Sequence, residues 1–123
     1  MAAAQLKDKD TAYWGVPWEQ AYGYPQARRV GNEIFVSGQF NHDADGNLVA
    51  PAPLDSEGRP SDFSTMGEQM RTAYDNIATL LALYGATLQD VVEETKEKVQ
   101  HVASRVMNEA KTAAREEGLP GAS

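Results

Sequence analysis

Apolar positions along the chain fall into two helical stripes and two short alternating runs. The clearer stripe lies in 65–84, where Met66, Met70, Ala73, Tyr74, Ile77, Leu80, Leu81 and Tyr84 recur at helical spacing. A stripe of this kind must be buried against something, so these residues are expected in the core. Thr65 with Glu68 fits a capping box at the start, and Gly85 fits a left-handed stop at the end. Asn76 falls beside the stripe and is expected to be a hydrogen-bonded polar residue at a helix–sheet border. The second stripe starts at Leu88 and continues through Val99, Val102, Val106 and Ala110 to Ala114. It predicts a helix over 98–117, supported by a well-oriented Glu94–Lys98 pair and stopped by Gly118 and Pro120. Over 90–97 the signals divide. Thr87 and Asp90 can cap a helix, whereas β-branched Val91, Val92 and Thr95 lean towards a strand.

The alternating runs are 26–30 and 33–40, joined by Gly31-Asn32, a pair that tolerates the positive φ of a two-residue hairpin turn. Ile34-Phe35-Val36 is too apolar for a strand wetted on both faces. Ser37-Gly38-Gln39 then interrupts the run, and a glycine inside a strand marks a bulge or a close approach. Two readings are open there: a bulge that helps the sheet curve, or a floor where a small ligand meets bare backbone with Ser37 and Gln39 beside it. Residues 48–50 read as a short returning strand ended by Pro51-Ala52-Pro53, and 54–62 as loop. Polar, small residues 1–12 read as a loose arm. In 13–18, Tyr13, Trp14 and Trp18 crowd around Pro17, which is expected to block a helix. Such a cluster is expected to cover a core edge or a subunit contact rather than to stack on a base.

At 123 residues the chain is long enough for one core. Its net charge of −7 disfavours a nucleic-acid partner, which needs a basic surface. With no cysteine, disulfides and thiolate metal sites are excluded. No apolar run approaches the ~20 residues of a membrane span, and the N-terminus lacks the apolar core of a signal peptide, so a cytoplasmic protein with no membrane partner is expected. Residues 41–47 begin like a calcium loop, with alternating oxygen side chains and Gly46 in sixth place. The position that should carry a bidentate glutamate is Ala52, so a surface turn is expected and no metal. His42 reads as a solvated turn histidine.

Tyr24-Pro25-Gln26-Ala27, then Val30-Gly31-Asn32, then Phe35-Val36-Ser37-Gly38-Gln39 resemble, in order and spacing, the start of the RidA (YjgF/YER057c/UK114) family. The likeness continues through Gln69, Asn76, Gly85 and Asp90-Val91-Val92, over about residues 12–95. The resemblance implies an α+β, chorismate-mutase-like sheet packed on helices. It also implies that 90–97 is a strand beside the hairpin; that reading is adopted, with a single long helix as the alternative. The order becomes β-β-(β)-α-β-α, with the closing strands missing. The organisation becomes an arm over 1–12, an incomplete family domain over 13–97 and an amphipathic helical tail over 98–123.

Members of the family hydrolyse enamines and imines such as 2-iminobutanoate and 2-iminopropanoate to 2-keto acids and ammonia, without metal or cofactor, as homotrimers. The resemblance implies substrate-binding roles for Tyr24, Ser37, Gly38 and Gln39 towards a small carboxylate. In the family an arginine after a proline clamps the carboxylate, and a glutamate on a later strand holds the attacking water. Neither has a counterpart here. Arg105 and Arg115 fall on the tail helix, and residues 119–122 only faintly resemble the Leu-Pro-x-Gly-Ala element that precedes the glutamate strand. No catalytic residue is assigned. Impaired deamination, ligand binding without turnover, and an interaction module built on the tail helix are the functions to be weighed.

Overall fold

The structure, a computed structural model, describes residues 4–118. The resemblance drawn at 119–122 and the stop at Pro120 lie outside the described residues. The chain divides into two compact units, Met1–Thr87 and Leu88–Ser123. The boundary falls ten residues before the one expected at 97/98.

The first unit is α+β. Its four-stranded antiparallel sheet has the order β1 (Gln5–Leu6), β2 (Thr11–Tyr13), β3 (Ala27–Val30), β4 (Glu33–Val36). A short helix α1 (Pro17–Tyr22) joins β2 to β3, and α2 (Met66–Ala82) follows a long irregular segment. The β3–β4 hairpin forms as expected, with Val30 opposite Glu33 across the turn. Gly31 alone takes positive φ there, +59°, which is the pattern of a type II′ turn.

Residues 4–12 are not a loose arm. Ala12 pairs with Ala27 and is fully buried, and Asp8 organises the β1–β2 turn by accepting the backbone N–H groups of Asp10 (2.7 Å) and Thr11 (2.8 Å). Those bonds hold the Asp8 carboxyl below its ordinary pKa, with a smaller contribution from Arg28. Two alanines facing each other across β2 and β3 let α2 lie close to the sheet, where fully buried Leu80 meets them. Tyr84 completes the join: its hydroxyl donates to the Asp10 carbonyl at 2.9 Å, and the Arg29 guanidinium lies 5.7 Å from its ring centre. Burial raises the Tyr84 pKa.

Helix α2 ends as its sequence demands. Gly85 at φ +74° lets its N–H reach the Ala82 carbonyl and the Ala86 N–H reach that of Leu81, the paired bonds of a Schellman stop. Its start differs from expectation. Thr65 makes no side-chain cap; instead Gln69 Nε2 bonds Thr65 Oγ1 (3.3 Å) and the Ala50 carbonyl (2.8 Å), tying the helix to the preceding segment. The expected core stripe is buried only at its C-terminal end. Leu80 and Leu81 are buried, but Met66, Met70 and Tyr74 are more than half exposed. Residues 48–50 form only an isolated bridge, Leu48 with His42, rather than a strand.

The second unit is one helix, α3 (Leu88–Glu116), and none of its described residues is buried. The strand expected over 90–97 is therefore helix. Local i,i+4 bonds account for it: Gln89 to Glu93 (3.2 Å), Lys98 to Glu94 (2.6 Å), and the Thr95 hydroxyl back to the Val91 carbonyl (2.8 Å). The last of these satisfies the Thr95 hydroxyl within the helix.

Candidate functional site

Pro17 does not block a helix; it starts one. It occupies the first turn of α1, where its missing N–H is no loss. Two residues later in the same turn, buried Glu19 folds back. Its carboxylate accepts backbone N–H bonds from Trp14 (2.7 Å), Gly15 (2.8 Å) and Val16 (3.1 Å). This single side chain satisfies the donors of the tight bend between β2 and α1 and holds the Trp14 backbone there.

The tryptophans enclose His42. It is 1% exposed, not a solvated turn residue. Trp14 and Trp18 meet its ring edge-on at 5.6 and 5.2 Å, and Phe40 lies tilted at 4.8 Å. The Nδ1 of His42 lies 2.7 Å from the Asp43 carbonyl, which only accepts, so Nδ1 carries the proton. The Asn76 amide, on α2, donates to the Phe40 and His42 carbonyls at 3.0 Å each, satisfying Asn76 as expected. Gly46 closes the enclosure. At φ +86°, a Cβ there would come within 2.9 Å of the Trp18 ring. The 41–47 turn is an Asx turn, with Asp43 Oδ1 accepting from the N–H groups of Asp45 and Asn47 at 2.9 Å. Those bonds, that from Asn47 first, hold the Asp43 carboxyl below its ordinary pKa. Among the described residues no group of three or more His, Asp or Glu side chains is placed to hold a metal.

Ser37, Gly38 and Gln39 lie past the end of β4, so Gly38 is not a bulge within a strand. Gln39 turns inward: its Oε1 accepts from Trp14 Nε1 (3.1 Å), and its Nε2 donates to Gln26 Oε1 (2.8 Å) and to the Ser37 carbonyl (3.1 Å). The indole can only donate, which sets the orientation of both amides and leaves buried Gln26 Nε2 without a partner. Gln39 is therefore committed to the fold and does not face a ligand. Ser37 Oγ donates to the Pro25 carbonyl at 2.8 Å and keeps its lone pairs for accepting.

Gly38 is exposed, and a Cβ built on it meets nothing within 4 Å. An open hollow of about 170 Å³ adjoins this point, lined by Pro25, Ala27, Arg28, Phe35, Val36 and Ser37. Of the four residues expected to bind substrate, only Ser37 lines it; Gly38 and Gln39 follow its rim in sequence, and half-buried Tyr24 precedes its Pro25 wall. Arg28 is the group that sequence reasoning missed. It pairs with Phe35 across the hairpin and is one of the residues lining the hollow, with its Nη1 donating to Thr11 Oγ1 on β2 at 3.2 Å. One such bond leaves most of the guanidinium fork to meet an anion. Strand alternation gave the signal, because Arg28 and Phe35 are opposite one another on the same face.

No protein-family model matches this chain, and no solved structure matches it. None of the described helices is long and apolar enough to cross a membrane.

Proposed function

We propose that the first unit binds a small carboxylate in the hollow at the Ser37 end of the β3–β4 hairpin. The ligand class is that of 2-imino and 2-oxo acids, on which the RidA-like deaminases act. The observation that carries the reading is the coincidence of Arg28, an accepting Ser37 hydroxyl and open space in front of Gly38. Arg28 meets the carboxylate with two parallel N–H groups, taking over from this side of the hairpin the duty of the missing clamp. Ser37 Oγ accepts from the imine N–H. The hollow is too small for a drug-sized ligand but suits an acid of four or five carbons.

Its lining carries no carboxylate to hold and polarise water, so binding occurs without turnover. Two measurements test this. With 2-oxobutanoate at ten times its Kd the melting transition rises, corresponding to about 1.4 kcal/mol. Arg28→Ala abolishes the rise, and Arg28→Lys retains only part of it. No rise at millimolar ligand, or an undiminished rise in Arg28→Ala, rejects the site. Ammonia release from 2-iminobutanoate generated in situ stays at the spontaneous rate; clear acceleration would restore catalysis and reject binding alone.

A further inference from the structure

We propose that Phe35 selects the side chain of the bound acid: the hollow takes 2-oxo and 2-imino monocarboxylates with an apolar tail and disfavours those with a second carboxylate. The inference rests on the binding reading above and deepens it. Of the residues lining the hollow, Arg28 and Ser37 are polar, and Pro25, Ala27, Phe35 and Val36 are apolar. Arg28 meets the carboxylate and Ser37 the imine, so the tail of the ligand is left to the apolar residues. Ala27 is buried, Pro25 and Val36 are half-buried, and Phe35 is 58% exposed. Of these, Phe35 therefore has the most apolar surface still to be covered.

Strand geometry sets Phe35 beside the anchored end of the ligand. Val36 packs against the core, and successive strand side chains alternate, so Phe35 stands on the outer face. Arg28 lies directly opposite it on β3, and such cross-strand neighbours have Cβ atoms about 5 Å apart. An acid held by Arg28 thus has Phe35 as its neighbour on the same face. A second carboxylate is poorly served there. Arg28 is the one cation among the residues lining the hollow. Arg29, next along β3, alternates to the α2 face, where it pairs with Asp10 at 3.3 Å and lies 5.7 Å from the Tyr84 ring centre. The other outer-face residue of β4 is exposed Glu33, whose charge repels a second carboxylate. A carboxylate that loses water against the Phe35 ring gains no hydrogen bond in return.

Amide NMR titrations of the full chain with 2-oxopropanoate, 2-oxopentanoate and 2-oxopentanedioate give the three dissociation constants that test this. A CH2 group fully withdrawn from water is worth about fourfold in affinity, so two of them half-covered in an open hollow should give about fourfold. The unmodified chain is therefore expected to prefer 2-oxopentanoate to 2-oxopropanoate by about that factor, and to bind 2-oxopentanedioate about tenfold more weakly than 2-oxopentanoate. Phe35→Thr, which suits a strand, is expected to bring the preference for the longer monocarboxylate below about twofold, and Phe35→Leu to retain most of it. A residue that only held the hairpin would weaken all the acids alike and leave the ratio unchanged. An unchanged ratio in Phe35→Thr, or equal binding of the three acids by the unmodified chain, overturns the selection and leaves the binding site standing. If none of the three acids binds the unmodified chain, the binding reading itself fails, and the selection with it.

Discussion

The two units of this chain solve the same problem by opposite means. In Met1–Thr87 a few polar side chains hold the fold: Glu19 satisfies a bend, Asn76 clamps the segment around His42, and Gln39 links Trp14 to Gln26. Its apolar core is small, built on Ala12, Ala27, Trp14, Val16 and Leu80. In α3 none of the described residues is buried, and the side-chain bonds of Gln89, Thr95, Lys98 and Arg105 join residues one turn apart. The first unit therefore depends on buried polar groups, some of them bonded across long stretches of chain, and the second on exposed neighbours. A substitution of one buried polar group should be costly in the first, and no exposed position of α3 should approach that cost.

The largest expected effect comes from Glu19→Ala. It strips three N–H groups of their acceptor, two of them on buried residues, and should destabilise the first unit by about 2–4 kcal/mol in urea unfolding followed by tryptophan fluorescence. A loss below 0.5 kcal/mol would break the contrast between the units. Next is Asn76→Ala, which orphans two carbonyls and loosens the His42 enclosure, for about 1–3 kcal/mol by the same measurement. Ala50→Gly should act in the opposite direction. Ala50 is held at φ +50°, where an L side chain is strained, so glycine should stabilise by about 0.5–1 kcal/mol.

The smallest effect is one of pH. Asp8, Asp43, Asp55 and Asp62 all have pKa values lowered from 3.8, each chiefly by a backbone N–H bond. A depressed folded pKa means the stabilisation is complete above the unfolded value and is lost as pH falls through the folded one. The first unit should therefore keep its stability down to about pH 4 and lose some of it only below. Because these carboxylates are exposed the loss should be slight, and Asp43→Asn should flatten the acid limb.

How much was legible follows from the same contrast. The β3–β4 hairpin, α2 and the 98–117 helix were written in periodicity and turn residues, which report local geometry. His42 was misread because its neighbours form a polar turn, while the rings that bury it come from Trp14 and Trp18, far earlier in the chain. Pro17 was misread because proline both starts and stops helices, and only the Glu19 bonds show which. The arm over 1–12 has no apolar run of its own; Ala12 is buried because it pairs with Ala27. The 90–97 segment went the other way, with β-branched composition yielding to i,i+4 pairing. Of the Ser37-Gly38-Gln39 run only Ser37 lines the hollow, which its sequence does not show. Gln39 bonds Trp14 and Gln26, and Arg28 lines the hollow from the neighbouring strand.

The most direct test of the binding site is an amide NMR titration of the intact chain with 2-oxobutanoate. The account predicts saturable shifts confined to Ala27, Arg28 and the amides of 35–38, with α3 silent, and no shifts in Arg28→Ala. Shifts absent from the β3–β4 hairpin, or unchanged in Arg28→Ala, would contradict it.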